Sequence, residues 1–357
     1  MTNRENITAM LDQLNSAGME GLVMDEEKIQ AEYSKENNHH SMAIKVLSVF
    51  GGILASLTFI GFLFMAGLYD SSVALVITGA LLLGLSVWLN KAFDTILIDT
   101  ASISAFLISL LLMAFGLTQM EVDFNLILII FILLSLACLV WVQNYVYAFI
   151  SIMVINGCLL TLIMSNETYD LIHFLILLLT VALLMIFQKE AYLITEYKKY
   201  ISLYPPLRIG MVISLLTCLF ILSRGGMFPF TPELVWVSSL VMITGILYTF
   251  ESVFKAMGIE KTPQKNLIYG IAILLLAPTL LSPAITGSLL ILLLSFRVNY
   301  KTGFAIGVIS FIYALGQYYY DLHFTLLVKS ILMMLSGLLF LALYFVTHKN
   351  LATDEKH

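Results

Sequence analysis

The segment "YALGQYYYDLHFTLLVKS", Tyr313 to Ser330, gathers an amide, four phenols, a carboxylate, an imidazole and an amine into a chain that is otherwise mostly hydrocarbon. Gln317, Tyr319, Tyr320, Asp321 and Lys329 are the side chains there that can hold a polar ligand, pair as ions or pass a proton. Lys329 is the most expensive. A last helix beginning near Leu322 puts it about 10–12 Å inside the apolar layer at ~1.5 Å per residue, and an ionisable group at membrane depth is a functional candidate by default. The opposing reading is an anchor, because the flexible stem carries the ammonium back towards the headgroups. Asp321 stands two turns earlier and about 80° around the helix, so a direct pair requires both side chains to bend. Gln317 supplies an amide to the same pocket. The tyrosines Tyr318, Tyr319 and Tyr320 also suit an interfacial aromatic belt.

Two further positions carry charge in telling places. Asp94 and Asp99, in "NKAFDTILIDTASIS", fall about 140° apart on a helix and do not form a paired-carboxylate site. Asp99 is either a proton-relay candidate or an interfacial residue ahead of the apolar run 101–117. Arg224 opens "SRGGMFPFTPELVW", which reads as a lid or docking loop or as a plain turn, with Thr231 capping a helix that begins at Pro232. His173, near Asp170, reads as structural. Cys138, Cys158 and Cys218 each lie inside an apolar run and read as small buried hydrophobes. The chain contains no H-E-x-x-H, G-x-S-x-G, P-loop or C-x-x-C pattern. No enzyme, cofactor or metal site is therefore expected, and no basic stripe points to nucleic acid.

The elements that must position these residues follow from composition. The 357 residues are 60% hydrophobic and 11% charged, so lipid must be the solvent for most of the surface. The expected fold is an all-α, polytopic transmembrane bundle. Residues 1–45 form a polar helical segment, residues 46–347 the membrane domain and residues 348–357 a tail. The first apolar run starts too late and is too long for a cleaved signal peptide. A spanning helix needs about 20 apolar residues, and apolar runs fall at 46–68, 72–89, 97–117, 125–142, 145–164, 170–187, 206–223, 232–250, 266–281, 284–296, 303–319 and 324–347. Pro278 and Pro283 break the stretch 266–296 into two short helices or a re-entrant hairpin, giving twelve crossings, or ten plus the hairpin. Likeness between "ETYDLIHFLILLL" and "YYYDLHFTLLVKS" raises a duplication into halves 46–187 and 206–347 with an interfacial linker 188–205, against simple recurrence of Tyr and Asp at an interface.

Charge sets the expected orientation. With both termini cytoplasmic, sixteen of the eighteen Lys and Arg fall on the cytoplasmic side, from Arg4 through Lys91, Arg208 and Arg297 to Lys356. Arg224 is the lone base of the external loops, which carry Asp70, Glu121, Asp123, Glu167, Asp170, Glu233 and Asp321 instead.

The stretch "YALGQYYYDLHFTLLVKSILMMLSGLLFLAL" resembles the C-terminal signature of the bacterial domain-of-unknown-function family 4401, and "IKVLSVFGGILASLTFIGFLF" resembles its first span. The related family 2157 starts similarly. The likeness covers nearly the whole chain, although Gly51-Gly52-Ile53 stands where a tryptophan is expected after the glycines. It implies a multi-pass protein of the inner membrane of Gram-negative bacteria, encoded beside a small membrane-anchored protein with a GDYxxLxY motif. It brings no substrate and no catalytic residue. Two functions are left: a non-catalytic subunit of a cell-envelope complex, or a secondary transporter or flippase-like carrier using Gln317, Asp321 and Lys329. Membrane lipid is a partner of either.

Overall fold

The structure, a computed structural model, describes residues 58–63, 65–93, 96–142, 144–190, 202–224, 228–256 and 262–321, with isolated positions at 51, 54, 195 and between 327 and 341. The N-terminal segment, most of the first span and of the linker, Asp94, the bulk of the last span with Lys329, and the tail lie outside the described residues. So do the side chains of Asp99 and Asp321.

Every regular element among the described residues is helical. The helices are α1 (Ser72–Ala92), α2 (Ile96–Gln119), α3 (Phe124–Trp141), α4 (Tyr145–Ser165), α5 (Leu171–Gln188), α6 (Tyr204–Ser223), α7 (Val235–Ala256), α8 (Thr262–Leu276), α9 (Pro283–Arg297) and α10 (Lys301–Asp321). Each corresponds to one expected apolar run. Seven of them, α1 to α7, hold a stretch long and apolar enough to cross a membrane, while Ile268–Leu281 and Pro283–Arg297 are shorter.

Their ends are set by local chemistry. Ser71 Oγ accepts from Ala74 N–H at 3.3 Å, Asp123 Oδ1 from Leu126 N–H at 3.1 Å and Asn144 Oδ1 from Val146 N–H at 2.9 Å. Each satisfies one orphan donor of a first turn. Glu121 and Glu167, with φ of 57° and 56°, end α2 and α4 in the left-handed conformation that closes a helix.

The helices are apolar on nearly all sides, as they must be with protein on one face and hydrocarbon on the other. In α1 the outward stripe is Val73, Ile77, Leu81, Leu85 and Trp88, all exposed. The main core lies among α5, α6, α7 and α9, where Ile176, Leu183, Leu215, Leu219, Met242 and Leu290 are buried. α4 packs on α6, α3 on α4, α10 on α9, and α1 lies along α2.

Helix contact is made through small residues, which let backbones approach where no hydrophobic force pushes helices together. A Cβ built on Gly116 would sit 2.9 Å from the Ser72 carbonyl oxygen, and one on Gly79 would sit 3.0 Å from that of Ser109. Two of the buried hydroxyls bond within their own helix: Ser109 Oγ donates to Phe106 O at 2.6 Å, and Thr249 Oγ1 to Gly245 O at 2.8 Å.

Charge sorts by end. The loops joining α2 to α3, α4 to α5 and α6 to α7 lie together, tied by Asn125 to Asn166 and by Thr231 to Asp170. They carry Glu121, Asp123, Glu167, Asp170 and Glu233, and this is the acidic end. The opposite, basic end holds Lys91, Lys189, Arg208, Lys255, Lys265, Arg297 and Lys301, tied by Arg208 to Glu190 and Lys265 to Glu251.

Candidate functional site

Gln317 lies in the last turn and a half of α10, at the acidic end. Together with Tyr318 and Ala314 it lines a cavity of about 240 Å³ closed by Leu222 and Ser223 of α6, Val235 of α7, and the turn Leu281–Ser282–Pro283. That turn exists because proline cannot donate to a helix. α8 ends at Leu276, a 3-10 turn runs Ala277–Leu281, and Pro283 starts α9. Hydroxyls hold the turn: Thr286 Oγ1 lies 3.0 Å from Thr279 O and 3.0 Å from Thr279 Oγ1, and Thr279 Oγ1 donates to Leu276 O at 2.7 Å. The interruption expected at 266–296 is therefore present, and a single helix through it is excluded. It lies level with the end of α6, the start of α7 and the end of α10, not halfway along them.

Arg224 caps the C-terminus of α6. Its Nη2 donates to Tyr313 Oη of α10 at 3.4 Å, and its guanidinium sits 4.7 Å from the Phe220 ring centre. Tyr313 precedes Gln317 by one turn, on the same face of α10. Arg224 and Gln317, read separately in the sequence, thus belong to one region where α6 meets α10. The rest of the tyrosine run divides. Tyr318, which reads as a belt residue, lines the cavity. The Tyr319 and Tyr320 rings meet edge to face at 5.8 Å, and Tyr320 is 79% exposed, turned away from the cavity. Asp321 ends α10. Asp99 falls in the first turn of α2, immediately before its apolar stretch at the basic end. Tyr313, Ser223 and Ser282 are neighbours that sequence reasoning missed; the spacing from Tyr313 to Gln317 was the available signal for the first.

A second polar cluster locks the acidic end. Thr231 stands immediately before the 3-10 turn Pro232–Leu234, where the expected helix starts. The hydroxyl donates to Asp170 Oδ2 at 2.7 Å, and the Thr231 N–H to Oδ1 at 3.1 Å. The two bonds, the hydroxyl's first, hold the Asp170 carboxyl below its ordinary value. Tyr169, Phe228 and Phe230 pack beside them with ring centres 5.9–6.2 Å apart. His173 is buried, its Nδ1 is 2.7 Å from Ser238 Oγ, and its Nε2 has no partner.

At the basic end Arg208, which reads as one more loop base, is caged. Its guanidinium stands 3.6 Å from the Tyr300 ring centre, 5.2 Å from that of Tyr204 and 5.8 Å from that of Phe187, with Glu190 at 3.4 Å. Burial raises the Tyr300 phenol, and the Arg208 charge opposes that rise. Among the described residues no three His, Cys, Asp or Glu side chains come together to hold a metal ion.

A family model described as "Domain of unknown function (DUF4401)" matches residues 41–350. No curated protein and no solved structure matches the chain.

Proposed function

Since the chain belongs to the DUF4401 family over most of its length, we propose its role from the residues themselves: it is a non-catalytic subunit of a bacterial inner-membrane complex, with its basic end and both termini cytoplasmic. The seven long apolar helices are those of an integral membrane protein. The observation that carries the subunit reading is where charge sits. Every described Asp, Glu, Lys, Arg and His within α1–α10 falls in the first or last turn and a half of its helix. A carrier coupled to an ion gradient places such groups at depth. The acidic end instead presents exposed Asp70, Glu121, Asp123, Glu167 and Glu233 on loops braced by the Asp170–Thr231 and Asn125–Asn166 bonds. That surface is negatively charged, and it suits a partner with basic residues near the membrane. The small membrane-anchored protein with a GDYxxLxY motif is the partner the family resemblance implies.

Purification in mild detergent tests this. A stoichiometric second polypeptide is the expected result, lost when Glu121, Asp123 and Glu167 are replaced together by Gln. Recovery of the chain alone, with a retained small molecule, overturns it and favours the second reading. That reading is a flippase-like carrier, and the cavity beside Gln317 and the Pro283 turn is the feature that speaks for it.

A further inference from the structure

We propose that the face where α6, α9 and α10 meet binds one anionic phospholipid from the leaflet at the acidic end, its chain lying in a groove and its phosphate held by Arg224. The groove has a volume of about 430 Å³, and its walls include Ile213, Leu216 and Phe220 of α6, Ser288 of α9, and Ile309 and Tyr313 of α10. Its lining is almost wholly apolar, and Phe220, Ile309 and Tyr313 among its walls are exposed.

Its length argues for an acyl chain. From Ile213 to Ser223 the α6 wall runs about 15 Å at ~1.5 Å per residue, half the ~30 Å hydrocarbon thickness. A groove starting at one end of the bundle and stopping near the midplane has the reach of a single leaflet. A soluble ligand gains nothing from a lipid-facing slot of that depth, whereas a chain from the same leaflet enters sideways without leaving hydrocarbon.

Charge at the mouth argues for an anionic head. Arg224 is the one base among the described loops of the acidic end, and among the described residues it makes no ion pair. It stands over Phe220 and against Tyr313, both groove walls, so its guanidinium is fixed at the mouth. Guanidinium offers a planar set of donors matched to phosphate oxygens. The Gln317 cavity adjoins: Ser223, Ala284 and Ala314 line both spaces. Ser282, Gln317 and Tyr318 then supply neutral polar groups beside the phosphate, suited to a glycerol or ester region.

The test is native mass spectrometry of the full chain released from nanodiscs made with equal phosphatidylglycerol and phosphatidylcholine. The wild type should retain one lipid, with phosphatidylglycerol preferred. Arg224→Gln should lower that preference about fivefold, the ratio corresponding to ~1 kcal/mol for one surface base. Arg224→Lys should keep most of it. Thr217→Trp, which fills the groove from an exposed position on α6, should reduce retention of both lipids. Unchanged preference in Arg224→Gln overturns the proposal, as does undiminished retention in Thr217→Trp. Displacement of the lipid by millimolar inorganic phosphate also overturns it, because the chain would then contribute nothing.

Discussion

Four glycines in helices face opposite surroundings, and alanine at each should shift stability in opposite directions. In Gly116→Ala the new methyl carbon would lie 2.9 Å from Ser72 O, 2.7 Å from Val76 Cγ2 and 3.0 Å from Leu75 Cβ. Ordinary contact begins at 3.4 Å, so the shortfall against the carbonyl is about half an ångström. The oxygen belongs to backbone, so it yields only if α1 and α2 move apart. Gly79→Ala meets the same obstacle in Ser109 O at 3.0 Å and the Met113 N at 3.1 Å. Overpacking of this kind costs about 1–3 kcal/mol, against which alanine regains roughly 1 kcal/mol of helix propensity. The net expectation is a loss of about 0–2 kcal/mol at each site. Gly84 and Gly157 have nothing within 4 Å of the same position, so only the propensity acts and alanine should gain about 0.5–1 kcal/mol. Thermal unfolding in detergent, followed by a thiol-reactive dye that reports Cys138 and Cys218, both buried, measures all four variants. A Gly116→Ala midpoint at or above that of Gly157→Ala would refute close approach of α1 to α2.

Arg208→Lys should cost about 1 kcal/mol despite keeping the charge, because an ammonium loses the planar stack on Tyr300; in a double-mutant cycle with Tyr300→Leu the two losses should be clearly less than additive, and strict additivity would remove the stacked pair. Thr231→Val should cost about 0.5–1 kcal/mol at pH 7, the low end for a charged partner because Asp170 is exposed. The folded Asp170 carboxyl titrates below its unfolded value, so this contribution is complete above the ordinary carboxylate range near pH ~4 and disappears as pH falls through the folded value. Melting the two proteins at pH 7 and pH 3 checks the sign, and a difference that grows on acidification contradicts the bond.

The helices were legible because hydropathy reports the one property a spanning segment must have. Pro278 and Pro283 likewise announced the break between α8 and α9, since a missing N–H acts locally. Sorting of Lys and Arg into alternate loops anticipated the two charged ends. What could not be read was which helices touch. A helix apolar all round carries no stripe to mark its buried side, so nothing in α6 and α10 foretold that Arg224 would reach Tyr313, 89 residues away. The same is true of Thr231 and Asp170, 61 residues apart. Arg208 was counted as a loop charge because sequence position near a helix start does not reveal three aromatic rings gathered from α5, α6 and the turn before α10. Tyr318 was assigned to a belt because neighbouring tyrosines look alike until the helix is rotated into place.

The short α8 segment has a consequence for the surrounding bilayer. Its two ends are fixed to the rest of the bundle, by Lys265 to Glu251 at one side and by the turn at Ser282 at the other. Ile273, Leu274 and Leu281 face outward. The apolar stretch Ile268–Leu281 offers lipid a wall of only about 21–24 Å, whereas the apolar run 72–89 of α1 offers about 27 Å. Lipid against one flank must therefore be pinched while lipid against the other is relaxed, and the strain is relieved when two pinched flanks meet. The molecule thus presents lipid with flanks of unequal height, independent of any charge on its loops.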